Sequence, residues 1–187
     1  MAKIRSFIAL PLSADIQSEI ARVQAELMAS QADVKWDTSD KFHITLKFLG
    51  DIEADQAPLI AGELVKSIGT SPPFDLTFSN LGAFPNAERP RVVWIGTRVI
   101  EQVPQLQWKV ERVCESFGFA KEDRPFHAHV TLGRVKGSRN LDRLTAKLKS
   151  VTFKPLIARC SEIHMMRSEL RPTGSVYTLL NSIPLAS

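Results

Sequence analysis

Two of the four histidines in this 187-residue chain begin the same short pattern. His43 opens HITL within FHITLKFLG, and His129 opens HVTL within HAHVTLGRV. Histidine has an ordinary pKa of about 6.5 and can therefore accept or donate a proton near neutral pH. A facing pair could act as general base and general acid in a displacement at phosphorus, one on the attacking oxygen and one on the leaving oxygen.

Each of these motif histidines is followed two residues later by a threonine. Alternation along a strand places Thr45 on the face of His43, and Thr131 on the face of His129. The hydroxyls of these motif threonines could donate to non-bridging phosphate oxygens. A single His-x-Thr is more often an ordinary polar strand face, whereas two copies in equivalent places favour one shared catalytic site.

The residues before each motif predict a strand followed by an amphipathic helix. In the first half, SFIALPL is a strand pattern, and Ser13 can cap a helix with apolar positions at Ile16, Ile20, Val23 and Leu27. The segment SQADVKWDTSDK then reads as a polar loop before the alternating first motif. In the second half, RVVWIGTR predicts a strand.

A helix is expected after Pro104, with apolar positions at Leu106, Val110, Val113 and Phe117. The order then repeats beyond each motif: a helix in DQAPLIAGELVKSIG leads to the strands FDLTFSNLGAF and RVVWIG, and a helix in NLDRLTAKLKSV leads to PLIARCSEIHMM and SVYTLL.

This repetition predicts an internal duplication within one bilobal domain, residues 1–187, with the motifs at 43–46 and 129–132. The expected fold is α+β, with two pseudo-symmetric lobes of antiparallel sheet flanked by helices and an active-site cleft between them. The Pro-containing loop GAFPNAERPR could line that cleft.

Composition narrows the class of partner. Lys and Arg outnumber Asp and Glu by 24 to 20, and the pI is near 9.2, which makes anionic partners such as nucleic acid plausible. The opening MAKIRSFIALPLSADIQ has an apolar run too short for a signal peptide or membrane span, so a cytoplasmic protein without a membrane partner is expected.

Cys114 and Cys160 have no metal-ligand spacing and read as reduced, buried thiols. Nothing requires more than a monomer.

Several residues near the motifs are candidates for substrate contacts. Lys47 has the parity of His43 and could meet a backbone phosphate, although a solvated lysine is the commoner outcome. Phe48 has the parity of Ile44 and Leu46, which favours the core unless the strand twists. Arg134 falls on the face opposite His129, so its use would require a bend at Gly133.

Other candidates lie further from the motifs. His127 shares a face with His129, and His-x-His can bind a transition metal, but no third ligand is identifiable and no metal is expected. Arg91, in the Pro-containing loop, could guide RNA. Trp94 reads as a core residue, and His164 as a structural or surface one.

The motif pair HITL and HVTL resembles the two H-x-T-x signatures of the 2H phosphoesterase superfamily. The whole chain resembles its bacterial branch, the RNA 2′,3′-cyclic phosphodiesterases historically called 2′-5′ RNA ligases. The resemblance also covers RSFIALPL, KWDTSDKFHITLKFLG, GAFPNAERPRVVWIG, PFHAHVTLGR and RSELRPTGSVYTLL.

The resemblance implies that His43 is the proton donor and His129 the proton acceptor, with Thr45 and Thr131 holding the phosphate. It also implies that Arg134 contacts substrate and that Phe48 packs against a base or ribose. The implied reaction opens a terminal 2′,3′-cyclic phosphate to a 2′-phosphomonoester, or joins and cleaves 2′-5′ linkages, without cofactor or metal. Two alternatives stay open: a non-catalytic module that binds RNA ends, and a phosphodiesterase for small nucleotide cyclic phosphates.

Overall fold

The computed structural model describes residues 2–98, 100–172 and 174–186. These residues form nine β-strands and four α-helices. The strands are β1 (Lys3–Pro11), β2 (Val34–Trp36), β3 (His43–Glu53), β4 (Phe74–Phe84), β5 (Val92–Thr97), β6 (His129–Val135), β7 (Leu156–Cys160), β8 (Glu162–Arg171) and β9 (Gly174–Pro184). The helices are α1 (Ala14–Met28), α2 (Gln56–Ile68), α3 (Gln102–Ser116) and α4 (Leu141–Ser150), and a short 3₁₀ helix spans Ser39–Lys41.

The described strands belong to one sheet in the order β7-β4-β5-β6-β3-β1-β8-β9, and β2 pairs with β6 beside this path. The strand pairs are antiparallel. The middle of the sheet is the contact between β3 and β6, where Ile44 pairs with Val130. The α+β class is therefore confirmed, and its two lobes, β3-β1-β8-β9 and β6-β5-β4-β7, join in one continuous sheet.

Each half of the chain gives strands to the opposite lobe: β4 lies in the lobe of β6, and β8 and β9 lie in the lobe of β3. β4 follows α2 in the first half but pairs with β5 and β7. β8 follows α4 in the second half but pairs with β1 and β9. Both lobes therefore contain strands from both halves of the sequence.

The core lies between the sheet and the helices. The side chains of Ile8, Ile44, Ile95 and Val130 are fully buried on the face of the sheet that the helices cover. On that face α2 packs against α3, and α1 packs against α4. Burying one apolar face leaves the polar alternate residues of β3 and β6 on the other face, where the motif side chains lie.

A local sequence signal explains the start of α1. The Ser13 hydroxyl accepts a hydrogen bond from the Ile16 backbone N–H at 3.5 Å, which caps α1 as predicted. α3 begins at Gln102, before the expected start at Pro104. A proline is tolerated there because the N–H groups of the first turn have no partner within the helix. Both cysteines are free and buried, as predicted.

Two segments differ from their predicted structure. PLIARCSEIHMM forms two strands, because β7 pairs with β4 in one lobe and β8 pairs with β1 in the other. The predicted loop SQADVKWDTSDK contains β2 and the 3₁₀ helix, so it is not wholly irregular. None of the described helices is both long and apolar enough to cross a lipid bilayer.

Candidate active site

The motif side chains meet where β3 and β6 pair at the middle of the sheet. Ile44 and Val130 are opposite each other and fully buried, so the residues flanking each of them project from the other face. Continuing this antiparallel register places Thr131 opposite His43, and Thr45 opposite His129. The motif histidines are therefore diagonal neighbours, which in an antiparallel pair lie roughly 7 to 8 Å apart.

Backbone carbonyls fix the orientation of both imidazole rings. The Nδ1 atom of His43 is 2.7 Å from the Lys41 carbonyl oxygen, and that of His129 is 2.6 Å from the His127 carbonyl oxygen. Because a carbonyl can only accept, each Nδ1 carries the hydrogen. The Nε2 atoms are thus the nitrogens free to bind or release a proton, and in His43 this atom lies 3.1 Å from the Thr45 hydroxyl.

Burial makes both imidazoles weak bases. Desolvation lowers the pKa of His43 to about 4, opposed by the Lys41 carbonyl and assisted by the charge of His129. The pKa of His129 is also lowered, first by burial and then by the nearby charges of His127 and Arg134. Both rings are therefore mostly neutral near pH 7. An anion held between them would raise both pKa values.

The aromatic groups around the two histidines differ. The Phe7 ring stacks on His43 at 4.9 Å between centroids, and the Tyr177 ring meets it edge-on at 5.5 Å. The Phe84 ring instead meets His129 edge-on at 5.0 Å. Trp94 is buried, as predicted for a core residue. Its ring nevertheless lies on the polar face of the sheet, with its centroid 4.7 Å from that of the His127 ring.

A β-bulge at the last residue of each motif reverses the alternation of side chains beyond it. In β3, Thr45 pairs with Ala9 and Lys47 pairs with Ile8, which leaves Leu46 as an extra residue. In β6, Thr131 pairs with Trp94 and Gly133 pairs with Val93, which leaves Leu132 as the extra residue. One inserted residue moves every later side chain to the other face.

The first bulge corrects the prediction for Lys47. Its side chain lies on the helix-covered face and not, as predicted, on that of His43. The side chain is 7% exposed, and its ammonium forms a salt bridge with Glu111 at 2.8 Å and donates to the Ala120 carbonyl at 2.6 Å. Although Lys47 borders the cleft, its charge is committed to protein partners, and we assign it no substrate contact.

The same bulge brings Phe48 to the polar face. Phe48 pairs with Phe7 and lies on the face of Thr45, with 65% of its surface exposed. The alternation that favoured a core position is therefore wrong. An exposed phenyl ring beside the motif histidines is available to pack against a base or sugar.

The second bulge brings Arg134 to the same face. Arg134 pairs with Val92, two residues from Trp94, and so lies on the side of Thr131. The bend expected at Gly133 is this bulge. A Cβ added to Gly133 would lie 2.7 Å from Val34 Cγ1, so the close approach of β2 requires a glycine here.

Gln24, which the sequence did not single out, supports this bulge from α1. Its side-chain amide donates at 2.8 Å to the Leu132 carbonyl and at 2.8 Å to the Asp37 carbonyl. The amide is buried, and the Leu132 carbonyl that it binds also accepts a hydrogen bond from the Asp37 backbone N–H at 2.9 Å, so Gln24 ties α1 to both segments at the bulge. No periodicity distinguishes this glutamine from an ordinary helix residue.

The polar face opens into a main cleft of about 640 Å³ beside His129. The predicted residues that line it are Thr45, Lys47, Phe48, Arg91, His127, His129, Thr131 and Arg134. The loop GAFPNAERPR contributes Phe84, Pro85 and Arg91, as expected, and the segment 122–126 adds Glu122, Arg124, Pro125 and Phe126. In the part of the chain that the structure describes, no group of three or more His, Cys, Asp or Glu side chains could hold a metal ion.

Known proteins are similar to this chain in sequence and in fold. The family model described as LigT like Phosphoesterase matches residues 10–94 and 96–177, so each matched segment contains one motif. The RNA 2′,3′-cyclic phosphodiesterase of Methanothermobacter thermautotrophicus is 34% identical over 94% of this chain and 96% of its own length. The protein of the same name from Aeropyrum pernix is 35% identical over 90% of this chain and 96% of its own.

A solved structure gives the same result. The crystal structure of E. coli LigT complexed with 3′-AMP covers 100% of both chains, with 25% identity and a TM-score of 0.79. The family model thus matches most of the chain, and the chain covers nearly the full length of both relatives. The chain belongs to the LigT-like phosphoesterase family.

Proposed function

We propose that this protein hydrolyses terminal RNA 2′,3′-cyclic phosphates to 2′-phosphomonoesters by paired-histidine acid-base catalysis. The observation that carries the proposal is the diagonal placement of the motif histidines, with both Nδ1 atoms fixed by backbone carbonyls. The printed names of its relatives support the reaction class. The nucleotide bound to E. coli LigT supports the proposal that a nucleotide occupies the cleft.

In the proposed reaction, water attacks phosphorus from the side of His129, whose Nε2 takes the proton. The bond between phosphorus and the 3′ oxygen breaks, and His43, protonated at Nε2, gives its proton to that oxygen. The 2′ oxygen stays bonded to phosphorus, so the product is a 2′-phosphomonoester. General acid-base catalysis of this kind contributes about 100- to 10,000-fold to the rate.

The remaining groups hold the phosphate. The motif threonines donate to its non-bridging oxygens, and Arg134, brought to their face by the bulge, supplies charge. Phe48 packs against a base or ribose, while Arg91 and His127 lie along the cleft wall. Strain in the five-membered cyclic phosphate provides much of the activation, and neither ATP nor a metal enters this scheme.

The same geometry accounts for 2′-5′ ligation and cleavage. A 5′-hydroxyl takes the place of water on the side of His129, its proton passes to His129, and the 3′ oxygen leaves with the proton of His43. In the reverse direction the two histidines exchange roles.

We also propose that the chain is a single bilobal domain that arose by internal duplication. Two successive segments match the same family model, and each has one H-x-T-L motif with a bulge at the leucine of the motif. The exchange of β4 and β8 between lobes supports a single domain, because neither half retains all of its strand partners alone.

The test is incubation of the purified protein, in excess EDTA, with a short RNA ending in a 2′,3′-cyclic phosphate, with 2′- and 3′-phosphate products resolved. The proposal predicts a 2′-phosphate product despite the chelator. A 3′-phosphate product, or turnover that the chelator abolishes, would contradict it. Binding without turnover would instead favour an RNA-end binding module, and turnover restricted to mononucleotides would favour a small-molecule phosphodiesterase.

A further inference from the structure

One wall of the main cleft is an irregular segment between α3 and β6. Residues 120–126, the cleft-wall segment, form neither helix nor strand, and most of them are exposed. Their backbone groups make no backbone–backbone hydrogen bond to another described residue. Four of them nevertheless line the cleft: Glu122, Arg124, Pro125 and Phe126. Contacts other than backbone pairing therefore determine where this wall stands.

The Lys47 ammonium connects the cleft-wall segment to the rest of the fold. Its Nζ donates to the Ala120 carbonyl at 2.6 Å and to Glu111 Oε2 at 2.8 Å. Gln107 Nε2 donates to Glu111 Oε1 at 3.0 Å, so both carboxylate oxygens are bonded. Across the described residues, no other hydrogen bond joins the segment to a strand or helix. At its far end, the half-buried Phe126 packs against the core.

The burial of this ion pair favours a role in positioning. The Lys47 and Glu111 side chains are each 7% exposed, so both charges are largely removed from water. A buried ion pair adds little stability compared with apolar side chains of similar volume. Its distinctive property is direction, because a charge-assisted hydrogen bond fixes the place of the carbonyl that accepts it, whereas apolar burial is non-directional.

The tether lies beside the surface proposed to bind the nucleotide. Phe48 directly follows Lys47 in β3, and its exposed ring lines the same cleft as Arg124 and Phe126. Because Lys47 holds the Ala120 carbonyl, it fixes the start of the cleft-wall segment relative to the strand that carries Phe48.

The base histidine is held separately from this tether. The His127 carbonyl binds His129 Nδ1 at 2.6 Å, and the Ala128 carbonyl accepts a hydrogen bond from the Thr97 N–H at 3.3 Å. Residues 127–129 are thus attached to β5 and β6 by their own contacts. A change in the tether should therefore affect the wall of the cleft more than the proton-transferring groups.

We propose that the Lys47–Glu111 ion pair positions the cleft-wall segment, so that the cleft is already formed for the nucleotide that packs on Phe48. This proposal rests on the proposed function. Lys47 and Glu111 act through the wall and contact neither the phosphate nor the reacting atoms. Without the tether, binding must itself order the segment, and that ordering cost lowers affinity. Loss of the pair therefore weakens binding more than it slows the chemical step.

The test uses the double variant Lys47→Met with Glu111→Leu, which removes the tether without leaving a buried charge unpaired. Val110→Ala is the matched control, because Val110 is fully buried on the same helix and does not line the cleft. kcat and KM are measured on a short RNA ending in a 2′,3′-cyclic phosphate, and binding of its 2′-phosphorylated product is titrated. Backbone NMR order parameters are measured for residues 121–126, with and without product.

The wild-type segment should be ordered without ligand, with order parameters near the value of about 0.85 that is typical of rigid backbone. In the double variant they should fall below about 0.6 and recover when product saturates the protein. KM and the Kd of the product should rise about five- to tenfold, while kcat changes by less than about twofold. Val110→Ala should keep the wild-type order parameters and product affinity.

A wild-type segment that is already mobile, with order parameters below about 0.6, would overturn the proposal even if the double variant did not fold. A folded double variant with wild-type order parameters and product affinity would also overturn it, as would equal changes in Val110→Ala. Failure of the wild-type protein to turn over the RNA would instead overturn the proposed function. The order parameters would still decide whether the ion pair positions the segment.

Discussion

At the scale of single residues, the proposed chemistry depends on which imidazole nitrogen faces the cleft. The carbonyls of Lys41 and His127 hold the hydrogen on Nδ1, which leaves each Nε2 free to exchange a proton. The near identity of HITL and HVTL explains why their sequences do not distinguish acid from base. Their surroundings differ, because the His43 ring lies against Phe7 and Tyr177 and burial lowers its pKa to about 4, whereas the His129 ring lies against Phe84.

These lowered pKa values predict how activity depends on pH. The profile of kcat/KM reports groups in the free protein, where burial lowers the pKa of both histidines, so both of its apparent pKa values should fall below about 6.5. The profile of kcat reports the substrate complex, where the phosphate anion favours imidazolium, and it should lie at higher pH. Initial rates from pH 4 to 9 give both profiles. Superimposable profiles centred above pH 7 would contradict this account.

At the scale of structural elements, the two bulges explain what the sequence could and could not predict. The period-two pattern correctly predicted the strands, and the repeated motif correctly placed the histidines and threonines on one face. The pattern then failed for Lys47 and Phe48, because an extra residue at Leu46 reverses the alternation. A bulge depends on how a neighbouring strand pairs, which no local period reveals. Gly133 was the one sequence signal for the second bulge.

Gln24→Leu should disturb the site without touching substrate. It removes the donor to the Leu132 and Asp37 carbonyls, so we expect the free energy of unfolding to fall by about 1 to 3 kcal/mol. Misplacement of Arg134 should lower kcat/KM as well. Urea denaturation and kinetics measure both effects, with Gln105→Leu on exposed α3 surface as the matched control.

A purely structural role would lower kcat/KM equally in any background. If Gln24 acts through Arg134, then Gln24→Leu should cost little further activity in an Arg134→Ala protein. Fully additive losses in the double variant would rule out that coupling.

Lys47→Met should be strongly destabilising, since it leaves the Glu111 carboxylate buried without its partner. Loss of one partner from a buried ion pair costs about 3 to 5 kcal/mol. Replacing both residues, as Lys47→Met with Glu111→Leu, should recover most of the stability. Chemical denaturation of the three proteins tests this, and a single variant as stable as the wild type would show that the pair contributes little.

At the scale of the whole molecule, the exchange of strands makes the two lobes interdependent. β1 requires β8 from the second half of the chain, and β4 requires β5 and β7. The sequence predicted two related lobes but could not predict this exchange, because each half alone contains a plausible sheet. The cleft depends on it, since the residues that line it come from both halves.

A fragment ending at residue 90 should therefore not fold on its own. It retains the pairing of β1 with β3 but loses the partners of β4 and the outer neighbour of β1, leaving unpaired strand edges and exposed apolar faces. Circular dichroism and two-dimensional NMR of the isolated fragment test this. A dispersed, cooperatively melting spectrum would show that the first half is an independent unit.

The most direct test of the central claim is the turnover of an RNA 2′,3′-cyclic phosphate by His43→Ala, His129→Ala and the double variant. Each single substitution should lower turnover by about 100- to 10,000-fold while leaving the fold intact. The double variant should be little slower than the worse single one, because the two groups act as a unit. A folded single variant that retained near-wild-type turnover would contradict the paired-histidine mechanism.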